Sequence, residues 1–229
     1  GGRDDGADSP GRRPPRTHGV SGLDFASVWE AIADAIPDAD ALLCGDVRRS
    51  WREYDERAAR LAAALAKRGL PLRANVGLAL YNGPEYSEAQ FACFKQRLTP
   101  FNVNHRYTAA ELRSLLSDAD AEALFFDASL TPAIAGIRAA LPGLHTWIQV
   151  GGAMTPDWAL AYEAWLADHD AAPRIPRSGE DLWMLFTGGT TGRPKGVMWP
   201  HASMIETMQA TYAGLRLEVP RTIEEAVAL

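Results

Sequence analysis

Cysteine is scarce in this sequence, with Cys44 and Cys93 its only two. They lie far apart and outside any metal-ligand spacing, which excludes a disulfide framework and a cysteine-built zinc site and fits reduced thiols. Long apolar runs are missing too. The best, 76–81 and 123–126, are strand-length and far short of the roughly 18 residues that a membrane-spanning helix needs, so no integral membrane segment is expected. Positive charge is not in excess: the formal net charge is −6, and nucleic acid and anionic lipid are not expected partners. Apolar side chains are almost absent from the first stretch, GGRDDGADSPGRRPPRTHGVSG. Such a mixture buries too little surface to offset its ordering entropy, so residues 1–22 are expected to form a disordered tail. The tail lacks the apolar core of a secretory signal, and its acidic residues argue against a transit peptide; a cytoplasmic protein is expected.

From Leu23 onward apolar periodicity takes over. Phe25, Val28, Trp29, Ile32 and Ile36 recur at helical spacing until Pro37. Residues 41–51 read as two short strands about a Gly45-Asp46 turn. Ser50 with Glu53 and Thr108 with Glu111 have the form of capping boxes that open helices. Strands are expected at 75–81, 99–104, 122–127, 145–150, 182–187 and 196–199. Helices are expected between them, including 130–141, 157–168 and 201–214. On the last but one of these, Trp158 and Trp165 stand seven apart, a spacing that suits packing on one helix face. The alternation implies an α/β fold, a mostly parallel sheet flanked by helices. In such sheets ligands gather beyond the carboxyl ends of the strands.

One strand ends in chemistry. The segment 187-TGGTTGRPKGV-197 follows the apolar run 182–187. Gly188, Gly189 and Gly192 allow backbone conformations that let successive N–H groups converge on an anion. Thr187, Thr190 and Thr191 add hydroxyls able to bond phosphate oxygens or support magnesium. Lys195 adds a full charge on a flexible stem, stiffened at its approach by Pro194, with Arg193 at the rim. The order of residues is not that of a Walker loop: Lys195 follows proline and precedes Gly196, and no helix begins there.

The segment resembles the phosphate-loop signature of the adenylate-forming superfamily, which includes acyl-CoA synthetases, peptide-synthetase adenylation domains and luciferases. It departs from the common form at Gly188, where serine is usual, which shifts the grip at that point to backbone N–H. The Gly-Gly form and the Val-Met-Trp after Gly196 are similar to actinobacterial-type fatty-acyl and steroid-side-chain CoA synthetases. Segments 45–70, 80–95 and 101–112 resemble the N-terminal portions of these enzymes in the same order, so the likeness runs from Phe25 to about Gly214.

The resemblance implies that residues 23–229 form part of the N-terminal AMP-binding domain. It implies a two-step reaction in which a carboxylate attacks the α-phosphorus of ATP and a thiol then displaces AMP. ATP and Mg2+ are the implied cofactors, coenzyme A the implied second substrate, and a fatty-acyl or steroid-side-chain carboxylic acid the first. Lys195 is the expected catalytic contact to phosphate, within a set of Thr187, Gly188, Gly189, Thr190, Thr191 and Gly192. His201, six residues past the lysine, stands where many members carry a histidine near the acyl site; as a residue opening a helix it reads equally as a cap. Asn102, Asn104, His105 and Arg106 form a polar cluster whose expected role is structural. The motifs that would hold adenine and ribose, the hinge and the C-terminal lysine are not found in this sequence, so the chain is expected to be an N-terminal fragment inactive by itself. Two alternatives stand beside the synthetase reading: a ligase that loads a carrier protein, and a non-catalytic nucleotide-binding or interaction product.

Overall fold

The computed structural model describes residues 23–187, 194–215 and 221–228. Helix α1 (Phe25–Ala35) opens at Asp24, whose carboxylate accepts from the Ser27 backbone N–H at 2.9 Å and so satisfies one free donor of the first turn. A hairpin of β1 (Asp40–Cys44) and β2 (Val47–Ser50) turns at Gly45, φ +56, a left-handed conformation open to glycine at little cost. Ser50 caps α2 (Trp51–Lys67) in the expected box: its hydroxyl accepts from the Glu53 N–H, and the Glu53 carboxylate accepts from the Ser50 N–H.

The alternation then runs through β3 (Asn75–Ala79), α3 (Pro84–Lys95), β4 (Thr99–Asn102), α4 (Ala109–Asp118), β5 (Ala121–Asp127), α5 (Thr131–Ile137) and β6 (Thr146–Val150). Thr108 and Glu111 form the second reciprocal box at the head of α4. The helix expected over 130–141 is shorter, with 3₁₀ turns at 128–130 and 138–140 on either side of α5. Pro132 and Gly136 leave little between them to propagate a longer helix.

The helix expected over 157–168 is replaced by a two-residue strand, β7 (Leu160–Ala161), and a short helix, α6 (Tyr162–Ala167). The open edge of β6 supplies the reason. Leu160 and Ala161 pair with Ile148 and Gln149, so their backbone groups bond across the chain rather than within a helix. Trp158 and Trp165 therefore do not share a helix face. Trp158 packs on Phe126 and Trp147, and Trp165 joins the core on the opposite side of the sheet. The packing role expected for both is what they have.

Strands β8 (Leu182–Thr187) and β9 (Lys195–Pro200) complete a seven-stranded sheet ordered β7-β6-β5-β3-β4-β8-β9. Every pairing in it is parallel except β8 with β9. Side chains alternate across it. Ala123 and Phe125 of β5 join the core under α2, α3 and α6, while Leu124 and Phe126 join the core under α4 and α5. Gly77 is needed where β3 faces the second core, since a Cβ there would meet the Leu124 methyl at 2.7 Å. A third, aromatic core joins α1, α2 and α3 to the next helix, α7 (His201–Gly214), through Phe25, Tyr54, Phe91, Phe94 and Trp183. The last helix, α8 (Ile223–Ala228), lies against α1. This is the α/β architecture that the sequence implies, a mostly parallel sheet flanked by helices.

Candidate functional site

The site is built on β8, and β8 is fixed from the connector that precedes it. Arg97 makes a fork with the buried Asp181 carboxylate at 2.9–3.0 Å, and Arg73 donates to the Glu180 carbonyl at 2.7 Å. Farther back, Arg177 donates to both oxygens of Glu30 and to the Lys95 carbonyl. The Lys95 ammonium, itself buried, bonds Glu30 and Asp55 at 2.6 Å. Charge-assisted, two-pronged bonds of this kind hold geometry as well as energy.

From that anchor β8 runs parallel to β4 toward the carboxyl edge of the sheet and turns back as β9. The register Leu182–Pro200 through Thr187–Lys195 is unbroken. Thr187 therefore stands directly opposite Lys195, with Cα atoms about 5 Å apart across an antiparallel pair. Both residues are exposed, at the mouth of the hairpin. Gly196 allows the two strands to close: a Cβ there would meet the Met184 sulfur at 2.9 Å and the Phe186 ring at 3.1 Å. Gly188, Gly189, Thr190, Thr191 and Gly192 lie outside the described residues.

Other polar groups line the same edge. Asn102, at the end of β4, accepts the Phe186 N–H on its side-chain oxygen at 3.0 Å. Asn104 accepts from the Arg106 N–H at 3.0 Å and shapes the turn that leaves β4. The Tyr81 and His105 rings lie 4.4 Å apart, and the Tyr81 hydroxyl reaches the Ser129 hydroxyl at 3.5 Å. The asparagines thus hold backbone, in keeping with the structural role expected of this cluster. The bridge from Asn102 to β8 was not foreseen, and nothing in the sequence pattern signals it.

His201 lies elsewhere. It begins α7 just past the far end of β9, six residue steps from Lys195 and so roughly 20 Å along the strand direction. Its ring is 1% exposed and packs edge-on to Phe25 and Phe94 at 5.1 and 4.5 Å. Neither ring nitrogen makes a hydrogen bond, and the side chain does not cap the helix. Burial drives its pKa down to about 4, against the opposing pull of the Asp24 and Asp181 carboxylates and the nearby Leu182 backbone. The structure brings Thr187 and Lys195 together and leaves His201 at the amino edge of the sheet, among aromatics. A cavity of about 410 Å³, lined by Leu116, Glu122 and His145, opens at that amino edge as well, away from the hairpin mouth.

Thr187 and Lys195 are thus register partners at the carboxyl edge, on either side of a sequence rich in glycine and threonine. The family model described as AMP-binding enzyme matches residues 29–224. The chain belongs to this family. It is 40% identical over 190 residues to the medium-chain acyl-CoA ligase Mig of Mycobacterium avium, which covers 76% of this chain and 34% of that protein. It is 34% identical over 184 residues to the 3-oxocholest-4-en-26-oate–CoA ligase of Rhodococcus rhodochrous, covering 78% and 33%. Among solved structures, the anthranilate CoA ligase AuaEII in complex with anthranoyl-AMP matches with a TM-score of 0.78 at 22% identity, over 85% of this chain and 38% of its own. That last likeness is one of fold. The chain spans about a third of the length of the curated relatives it matches. In this AMP-binding family member no helix among the described residues is long and apolar enough to cross a membrane.

Proposed function

We propose that the hairpin mouth grips the polyphosphate of ATP, and that the protein carrying this chain is an ATP-dependent acyl-CoA synthetase. The observation that carries the reading is the pairing of Thr187 with Lys195 at the carboxyl edge, flanking a loop of phosphate-binding composition. In this reading Lys195 places its ammonium against the β- and γ-phosphates. The N–H groups of Gly188, Gly189 and Gly192 and the hydroxyls of Thr187, Thr190 and Thr191 complete the cradle. The carboxylate oxygen of the acid bonds to the α-phosphorus as the bond to the bridging oxygen breaks, and pyrophosphate leaves with its charge stabilised by the loop. The sulfur of coenzyme A then bonds to the acyl carbon, its proton passing to solvent, as the bond from that carbon to the phosphate oxygen breaks and AMP departs. The loop contributes by position and by charge, with no proton to transfer.

Magnesium, a hard cation, takes oxygen ligands; phosphate oxygens and a threonine hydroxyl of the loop supply them in this reading. The names of the relatives support a fatty-acid or steroid-side-chain carboxylate as the acid. A reaction that draws on ATP and coenzyme A fits the cytoplasm. For His201 we favour a packing role over a direct acyl contact, because its ring is enclosed by Phe25 and Phe94.

The test is carboxylate-dependent exchange of labelled pyrophosphate into ATP, run on the protein carrying this chain with a series of fatty acids and a steroid carboxylic acid. Lys195→Ala is expected to lower the exchange rate about 10²-fold, the scale of losing one charge-stabilising donor. Exchange that survives the substitution unchanged would remove Lys195 from the reaction.

A further inference from the structure

The ladder between β4 and β8 is short. Phe101 with Met184 is its one registered pair. Met184 and Phe186 are two residues apart, so their N–H groups point to the same neighbouring strand. In an unbroken parallel ladder the Phe186 N–H would find a backbone carbonyl of β4. Here it finds the Asn102 side-chain oxygen instead, at 3.0 Å. On the other side of β4 the pairing with β3 continues: the Val103 N–H donates to the Leu78 carbonyl at 3.0 Å. The two strands thus separate just below the hairpin mouth, and one amide side chain spans the separation. Phe186 is further located by its ring, 5.5 Å from Phe101. The next residue is Thr187, opposite Lys195.

We infer that Asn102 is a positioning residue for the phosphate loop, setting the height and tilt of the Thr187–Lys195 stem by holding the splayed end of β8. The inference rests on the reading of the loop as a polyphosphate grip. Asparagine suits the task because its side-chain oxygen reaches farther than the backbone carbonyl of the same residue and accepts one N–H while remaining neutral beside a site for anions. An aspartate would keep the acceptor but add a charge of the wrong sign for a nearby phosphate. A leucine of similar size would leave the Phe186 N–H without its partner.

The experiment uses the protein carrying this chain, labelled with ¹⁵N and titrated with magnesium-ATP, read by amide shifts, together with amide hydrogen exchange in the absence of nucleotide. In Asn102→Leu the Phe186 amide is expected to exchange at least tenfold faster, while Val76 and Phe125 in the neighbouring strands keep their parent rates, and the Kd for ATP rises about tenfold. Asn102→Asp restores slow exchange at Phe186 because the acceptor returns. Should the leucine variant fail to fold, Asn102→Ala removes the same acceptor with less bulk and is read in the same way. Lys195→Ala separates the two roles, for it weakens ATP binding about 10²-fold without touching the Phe186 amide. If Asn102→Leu binds ATP within twofold of the parent while Lys195→Ala binds far more weakly, the positioning role is overturned and the grip survives. If Lys195→Ala binds as the parent does, or the parent does not respond to ATP, the grip itself fails and the inference falls with it.

Discussion

The two ends of β8 are held very differently. At the amino end, the buried Asp181 carboxylate takes the Arg97 fork and the Ser178 N–H. Its carbonyl accepts the His201 N–H at 2.8 Å, and the His201 ring is locked among Phe25, Phe94 and the third core. At the carboxyl end the ties to β4 among the described residues are the Phe186 N–H bond to the Asn102 side chain and the Phe101–Phe186 ring contact, and the partner strand β9 is largely exposed. One end is an anchor of ion pairs and aromatic packing; the other is a stem with few partners. Binding segments are commonly drawn from the less stable parts of a fold, where a ligand can supply the missing contacts. In the proposed reading the hairpin mouth is the end that responds to an anion, while the base of the strand stays fixed.

The largest effect is expected from breaking the anchor. Burial pushes the Glu30 pKa up, but hydrogen bonds from Arg177 and Lys95 outweigh it and hold the carboxyl below its usual range. Glu30→Ala would leave the buried Arg177 and Lys95 without that partner. A cost of about 3–5 kcal/mol is expected in denaturant unfolding, the scale for stripping one member from a buried ionic cluster. A loss below 1 kcal/mol would mean that Asp55 and solvent suffice, and that the amino end is not the rigid one.

A smaller effect is expected from pH. His201 titrates near 4 in the folded chain against an ordinary 6.5. The unfolded chain therefore takes up the proton first as pH falls. The stability this residue allows is complete above pH 6.5 and is lost progressively down to about 4, by on the order of 3 kcal/mol. Urea unfolding of the parent and of His201→Phe across this window isolates the term. The stability of the variant relative to the parent should rise as the solution is made more acid; parallel profiles would show that the ring is not held dry by the aromatic core.

Much of this contrast was legible in the sequence, but unevenly. Both capping boxes could be read because their partners lie three residues apart. The two strands beside the loop could be read from their apolar runs, 182–187 and 196–199, whereas the register that sets Thr187 opposite Lys195 could not. What stayed hidden depends on distant partners. The edge of β6 that captures Leu160 and Ala161 is not visible in a seven-residue tryptophan spacing. The Arg97–Asp181 fork joins residues 84 positions apart. His201 read as a site residue or a cap, and only the packing of α1 and α3 around it shows a dry aromatic setting. Asn102 read as one member of a polar cluster; its bond to Phe186 exists because two strands diverge there.

The most direct test of the account is amide hydrogen exchange along residues 181–201 with and without magnesium-ATP. Nucleotide is expected to slow exchange by tenfold or more between Thr187 and Lys195 and to leave Asp181 to Met184 at the amino end unchanged. Protection confined to the amino end, or none at the hairpin mouth at saturating ATP, would contradict it.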